Sequence, residues 1–446
     1  MRVVVGLMFF PRGGSAHVAR ALATQLAERD WEVTIVSGSG PGRRDARAFY
    51  EGLDVVPVDF ATGDAPQHPS YEDRPDAPDP VFASVDDEAY EVHVAAWTRA
   101  LERAGAAEAD VLHLHHLTPL NEAAERVAPG VPVVGHLHGT ELLMLERIAE
   151  GPPPSWRHAL AWQRRMRRWA AGCRRLLVLS GTQVERAQRL LGVDRRTLVV
   201  SANGFDPRRF HPLAVDRRAF WHQQLVADPH GWRPGGEEGS IRYGPEEAER
   251  VAAGTVLLAV GRFTAVKRTG LLIRAFTLAQ RRLAAPTSLV LLGGYPDEWE
   301  GEHPVESIEA SGAPEVYLAG WHDQRDLPRF YAASDVVVLA SVAEQFGSVL
   351  VEGMACGLPP IAVDRLGPKE IISAGETGWL VPPDDLEALA GALTEAVDDP
   401  EERHRRGAAA RVDALERFSW PAIAERVDEI LREVAGPPSS RRAAYS

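Results

Sequence analysis

Short, continuous apolar runs, each followed by a stretch of helical periodicity, recur along this chain, and that alternation leaves few folds open. RVVVGLMFF opens the series; a run with no polar break is the mark of a strand covered on both faces, so residues 2–9 read as a buried first strand. Pro11 to Gly14 supply a turn, Ser15 a helix cap, and SAHVARALATQLAERD a helix of about four turns, before EVTIVS gives the next strand. GLDVVPVDF, a helix near 86–103, DVLHLHH, NEAAERVA and VPVVGHLHG continue the pattern. A second series begins at GTVLLAVG and runs through a helix at 267–284, SLVLLGG, VYLAG, a helix at 326–333, DVVVLAS, a helix at 347–356, LPPIAV and a helix at 384–397. Strand and helix signals in alternation specify a doubly wound parallel sheet, here twice.

The chain has 446 residues, a length that suits two or three domains at roughly 150 residues each. The expected division is a Rossmann-like domain over 1–205, a linker or insertion over 206–250 and a second Rossmann-like domain over 251–419, with a disordered tail from 436 to 446. The segment 206–250 is rich in Gly, Pro and charge and shows no sustained period. Residues 61–85 hold five prolines and many carboxylates, which predicts an exposed loop or lid.

Arg2 and the apolar run after it resemble a signal peptide only faintly, because the run is short and Pro11-Arg12 interrupts it without a cleavage site. No apolar run approaches the roughly 20 residues that span a bilayer. Two cysteines, Cys173 and Cys356, exclude a disulfide scaffold and suit a reducing cytoplasm. The formal charge of −14 argues against nucleic acid as a partner. One basic stretch stands out: from Ser155 to Arg175 there are seven arginines and no carboxylate, with Trp162, Met166, Trp169 and Cys173 at helical spacing. The expected helix 155–171 buries that stripe, and its basic side is a candidate for peripheral contact with an anionic membrane through 155–175.

Several chemistries are absent. There is no G-x-x-x-x-G-K-[ST], no G-x-S-x-G, and neither Gly13-Gly14 nor GSGPG has the spacing of a dinucleotide loop. HLHH (113, 115, 116) and GHLHG (136, 138) place histidines two apart, hence on common strand faces. No nearby cysteine or carboxylate pattern completes a metal site, so the expected metal complement is none. Histidines at the C-terminal ends of parallel strands instead lie where such sheets bind ligands.

Two constellations carry chemistry. In AVGRFTAVKRTGLLIRAF a strand ends at Val260-Gly261 and a helix begins near Lys267 or Arg268, which sets Arg262 and Lys267 on a loop above a helix N-terminus. Two cations and a helix dipole suit a diphosphate. Lys267 is also one of only two lysines among 49 basic residues, a position where a compact ammonium replaces the otherwise universal arginine. In LASVAEQFGSVLVEGMACGLPPIAV, Glu344 and Glu352 lie eight apart around Phe346-Gly347 and a helix start. Glycine lets backbone approach a ligand, free amides at the helix start face an anion, and a carboxylate on either side can accept paired sugar hydroxyls. Glu352 in an apolar helix segment needs partners from somewhere.

With these motifs in view, the chain resembles the retaining glycosyltransferases of family 4, whose architecture is the GT-B fold of two Rossmann-like domains facing a cleft. AVGRFTAVKR resembles the family's phosphate loop, and EQFGSVLVE its paired-glutamate signature, followed by GMACGLPPIAV, GPKEII and GETGWLVPPDD. SANGFDPRRFHP resembles the family hinge, and PRGGSAHVARALATQLAERDWEV its N-terminal glycine loop and first helix. Phe263 and Phe205 depart from the usual leucine and valine, and the 206–250 segment is longer than typical.

The resemblance implies the following roles. Arg262 and Lys267 bind the donor diphosphate, next to Gly261. Glu344 holds donor-sugar hydroxyls and Glu352 the nucleoside ribose, while Gln345, Phe346, Gly347, Ser348 and Val349 contact sugar and phosphate. Gly14 approaches the phosphates or the acceptor, and His138 sits near the anomeric centre. The catalytic set is then His138, Arg262, Lys267 and Glu344, and the acceptor-side candidates are Gly13, His115, His116 and His138. Helix 420–435 crosses back to the N-terminal domain. The implied activity is a metal-independent transfer from a nucleoside-diphosphate sugar, without a further cofactor, to a small polar or natural-product acceptor. The alternatives are a lipid-linked or glycan acceptor at a membrane surface, and a catalytically inactive sugar-nucleotide-binding protein.

Overall fold

Apolar strands of three to eight residues need cover on both faces, and the structure provides it with helices on either side of each sheet. The structure, a computed structural model, describes residues 1–11, 14–63, 65–71, 79–296 and 299–437. The chain forms two compact units, one of residues 1–203 with 420–446 and the other of residues 204–419.

The first unit holds seven strands: β1 (Arg2–Leu7), β2 (Glu32–Ser39), β3 (Asp54–Asp59), β4 (Val111–His115), β5 (Val133–His136), β6 (Arg175–Val178) and β7 (Leu198–Val200). They pair in parallel in the order β3-β2-β1-β4-β5-β6-β7. Period two along β1 divides its side chains between two cores. Val4 packs with helices Asp87–Arg103, Pro119–Val127 and Ala159–Gly172, whereas Val3, Val5 and Leu7 pack with helices Gly14–Ala27 and Trp420–Ala435. The last helix buries Ile423, Ala424, Val427 and Leu431. Asp428 accepts a 2.6 Å bond from Trp31 Nε1, and Arg432 stacks on the Trp31 ring.

Two sequence expectations change in this unit. Residues 65–71 and 79–85 of the proline-rich segment lie on the fold rather than loose in solvent: Ser70 and Val81 form a bridge, and His68, Tyr71, Val81 and Phe82 are buried. Aromatic rings in that segment outweigh its prolines and carboxylates, because Phe82 contacts Trp162 and Tyr71 contacts His116. Residue 64, residues 72–78 and residues 438–446 of the tail lie outside the described residues. The basic helix runs Ala159–Gly172, later than 155, and buries Trp162, Met166 and Trp169. Its arginines are drawn to other elements: Arg165 to Asp87 and the Tyr90 ring, Arg168 to Glu122 and Arg167 to the Leu190 carbonyl, while Arg175, at the start of β6, pairs with Glu433. The carboxylates missing from the local sequence come from elsewhere in the fold.

The second unit holds β8 (Thr255–Val260), β9 (Thr287–Leu292), β10 (Val316–Gly320), β11 (Val336–Leu339), β12 (Pro360–Val363) and β13 (Trp379–Val381), all parallel in the order β10-β9-β8-β11-β12-β13. The segment 206–250, expected as a linker, folds into this unit. Helices Arg217–His222 and Pro245–Ala253 frame it. Arg217 makes a two-pronged pair with Asp335, at 3.1 and 3.0 Å. Trp221 donates to the Ala333 carbonyl and Trp232 to the Gly294 carbonyl, and both rings are buried. The segment shows no period because it is anchored by single large rings rather than by a helix face.

Trp232 packs against Phe263, Trp299 and His303. Trp232→Ala should therefore destabilise the second unit by about 3–5 kcal/mol, the usual cost of emptying a large buried aromatic site. Denaturant unfolding followed by tryptophan fluorescence measures it, and a loss below about 1 kcal/mol would mean that the segment is not integral to the core.

Candidate active site

In each sheet the strand order reverses beside the first strand, at β1/β4 and at β8/β11. The loops that leave adjacent strand ends in opposite directions at such a point open a crevice for a ligand. In the second unit those loops are 261–268, after β8, and 341–347, after β11. A backbone bond from Val342 to the Val266 carbonyl, 3.0 Å, ties them together.

Lys267 and Glu344 form an ion pair across the two loops, with side chains 24% and 21% exposed. Lys267 closes a short 3-10 turn, Ala265–Lys267, and Arg268 ends it at φ 54° before helix Thr269–Gln280. Arg268 is held there by Asp384 at 2.7 Å. Arg262 is exposed and has no ion-pair partner among the described residues. Gly293 lies so close below that a Cβ there would stand 2.3 Å from the Gly261 carbonyl oxygen, so the second glycine pair of SLVLLGG supports the cation-bearing loop.

On the other side, Gly347 takes φ 109° and starts helix Ser348–Ala355. Phe346 is buried against Phe418, Gln345 and Val349 are half-buried, and Ser348 is exposed at the helix start. Gly367 donates to the Glu344 carbonyl at 3.1 Å, and a Cβ on it would lie 2.2 Å from the Phe346 carbonyl oxygen. The GPKEII motif thus seats the glutamate loop, a role that its conspicuous glycine signalled only by type.

Glu352 is buried, and its partners come from the protein. Tyr331 Oη donates to Oε2 at 3.0 Å and Gln324 Nε2 to Oε1 at 3.3 Å. Burial pushes its carboxyl up to about 7, against the pull of those two bonds and of the Arg209 charge. The carboxylate that the sequence left in need of a partner has two, and neither Tyr331 nor Gln324 was legible as such. Arg209, from the FDPRRF stretch, keeps Nε and Nη2 buried without a hydrogen-bond partner.

In the first unit, β4 and β5 pair with His115 opposite His136. His113, His115, His116 and His136 are buried, and only His138 among the five is partly exposed. His113 Nε2 lies 3.3 Å from His136 Nδ1, and His115 Nδ1 lies 2.9 Å from His138 Nε2. Glu141 is fully buried and binds His116 Nδ1 at 2.6 Å and the backbone amide of His138. A carboxylate does therefore stand beside these histidines, contrary to expectation, brought there by the helix that Gly139 starts at φ 94°. Phe9 and Tyr71 pack on His116, which leaves His138 as the partly exposed histidine of the five. Gly14 begins helix Gly14–Ala27 with open space around its Cα. Gly13 lies outside the described residues.

Residues 12–209 match the family described as Glycosyltransferase Family 4, and residues 246–413 match Glycosyl transferases group 1. The chain is a group 1 glycosyltransferase of the family 4 type. Among curated relatives of this glycosyltransferase, N-acetyl-alpha-D-glucosaminyl L-malate synthase of Bacillus anthracis is 23% identical over 97% of this chain and 98% of the relative. A D-inositol 3-phosphate glycosyltransferase of Rhodococcus erythropolis is 30% identical over 69% of this chain and 63% of the relative. Sucrose-phosphate synthase from Thermosynechococcus elongatus shares the fold at TM-score 0.66 and 19% identity, over 97% and 98% of the two chains. The Anabaena protein HepE, solved with UDP and glucose, does so at 0.67 and 18%, over 97% and 100%. The glycosyltransferase has the GT-B fold.

The buried imidazoles give the enzyme a pH dependence. Burial lowers His113 to about 4 and holds His115, His136 and His138 well below 6.5, with their mutual repulsion adding to it. Below 6.5 the unfolded chain takes up protons that the folded one refuses. The stability they confer is therefore complete above 6.5 and is lost as pH falls toward 4. Thermal unfolding should show the first unit melting at lower temperature at about pH 5 than at pH 7, with a shallower slope in His113→Gln. A flat wild-type profile would contradict this assignment.

Proposed function

We propose that this glycosyltransferase transfers a sugar from a nucleoside-diphosphate donor with retention of anomeric configuration, without a divalent ion at the diphosphate, to a small polar acceptor. The observation that carries the reading is the meeting of Lys267 and Glu344 at the switch point of the second sheet. Lys267, the exposed Arg262 and the amides that start helix Ser348–Ala355 offer a leaving diphosphate the positive charge it needs as the glycosidic bond breaks. Glu344, once Lys267 turns to phosphate, is released to accept sugar hydroxyls. Glu352 serves the ribose only by exchanging its bonds from Gln324 or Tyr331, so its part is a shared one. The first unit receives the acceptor near His138. HepE, which has the same fold, is described in complex with UDP and with UDP-glucose, which supports a nucleotide donor. L-malate and D-inositol 3-phosphate in the names of relatives support a compact, polar acceptor. A membrane-surface acceptor draws less support, because Arg165, Arg167, Arg168 and Arg175 are engaged within the unit.

Lys267→Ala should lower kcat/KM a hundredfold or more, in line with about 2.7–4 kcal/mol for a lost donor at developing charge, with little change in melting temperature. Near-wild-type turnover at saturating donor would remove Lys267 from the site.

Calorimetry with free UDP separates the glutamates. Glu352→Ala should weaken UDP binding, whereas Glu344→Ala should leave it and lose sugar transfer. Equal losses in both would sink the division of roles.

NMR of the product should show the donor's configuration kept. Enzyme treated with EDTA should need no added Mg²⁺; an inverted product, or activity restored only by Mg²⁺, would overturn the mechanism.

A further inference from the structure

The histidines of β4 and β5 form a cluster that the transfer reaction does not use. Parallel pairing with His115 opposite His136 puts His113, His115 and His136 on one face of the sheet. All three are fully buried, and one ring nitrogen from each lies within 4.8 Å of the other two. His113 Nδ1, His115 Nε2 and His136 Nε2 have no hydrogen-bond partner, and His116 Nε2 beside them has none either. Buried polar atoms are nearly always satisfied, so four orphans mark the cluster as unusual; the nitrogens of His113 and His136 that face one another, Nε2 and Nδ1, are the other atoms of those rings.

One facing pair of nitrogens has the spacing of ligands, and all three rings offer a nitrogen within 4.8 Å of the others. Two nitrogens bound at 2.0–2.1 Å to a tetrahedral ion stand about 3.3 Å apart. His113 Nε2 and His136 Nδ1 stand 3.3 Å apart, long for a hydrogen bond between nitrogens. We propose that His113, His115 and His136 bind one late first-row divalent ion, Zn²⁺ foremost. Imidazole alone suits Zn²⁺, Co²⁺, Ni²⁺ or Cu²⁺, whereas Mg²⁺ and Ca²⁺ require oxygen. Burial keeps the rings neutral, the form that ligates. His138, stacked on His136 at 4.8 Å and 9°, is the partly exposed ring through which an ion enters. The Glu141 carboxylate, bonded to His116, contributes negative charge close by. Such an ion would pin β4 to β5 beneath the loop of His138. It is distinct from the diphosphate site, whose residues belong to the other unit.

The test uses the full-length, untagged chain stripped with EDTA and titrated with ZnCl₂ at neutral pH. Calorimetry should show one saturable equivalent and a raised melting temperature, with no heat from MgCl₂. Cu²⁺ bound at one equivalent should give an electron paramagnetic resonance spectrum split by at least three imidazole nitrogens. The double variant His113→Asn/His136→Asn should lose the zinc equivalent. Absence of saturable zinc binding, fewer than three coupled nitrogens in the wild type, or an equivalent retained by the double variant would overturn the proposal. The spectrum is read on the wild type, so it decides even if the variant does not fold. None of these readouts involves turnover, so they stand or fall separately from the proposed transfer reaction.

Discussion

The pairing of β8 with β11 is the contact on which the site depends. These strands are far apart in sequence, and their parallel register, Val336 to Leu257 and Val338 to Ala259, brings two loops to one edge of the sheet. Neither loop has a site alone: one carries cations, the other carboxylates. Their meeting lets Lys267 and Glu344 neutralise one another in the resting enzyme, so the chain folds without an uncompensated charge at a half-buried position. Close backbone approach then sets the precision. Gly293 under Gly261 and Gly367 under Phe346 allow main chain to touch main chain where any side chain would collide.

Much of this was legible because the fold is regular and its site motifs are local. The alternation of apolar runs and helices gave two parallel sheets, and Lys267 announced itself as an ammonium among arginines. The family resemblance singled out Arg262, Lys267, Glu344 and Glu352; the first three lie on the two loops and Glu352 in the helix that follows, and the two family matches name the same kind of enzyme. What escaped has a common cause. Tyr331 and Gln324 reach Glu352 from a different helix and loop, Asp335 reaches Arg217 from more than a hundred residues away, and Glu122 reaches Arg168 from another helix. Pairings of that kind depend on tertiary geometry, which no local pattern encodes. The linker over 206–250 was misjudged for the related reason that Trp221 and Trp232 anchor it singly, without periodicity.

Burial shifts ionisable groups in both units. In the second, Glu352 is raised by burial while cations face solvent. In the first, the rings of His113, His115, His136 and His138 pack at 4.6–5.4 Å, and burial disfavours their protonation. Buried imidazoles lose stability as pH falls and a buried carboxyl as pH rises, so neutral pH accommodates both.

Helix Trp420–Ala435 belongs to the first unit although the entire second unit is encoded before it. Its Ile423, Val427 and Leu431 share one core with Val3, Val5 and Leu7 of β1. During synthesis the second unit can close on its own sequence as soon as Ser419 has emerged. The first must wait, with one face of its sheet uncovered, until the last helix arrives. The first unit is thus completed only after the second has been translated. The uncovered face of β1 is the surface that a nascent chain has to keep from aggregating.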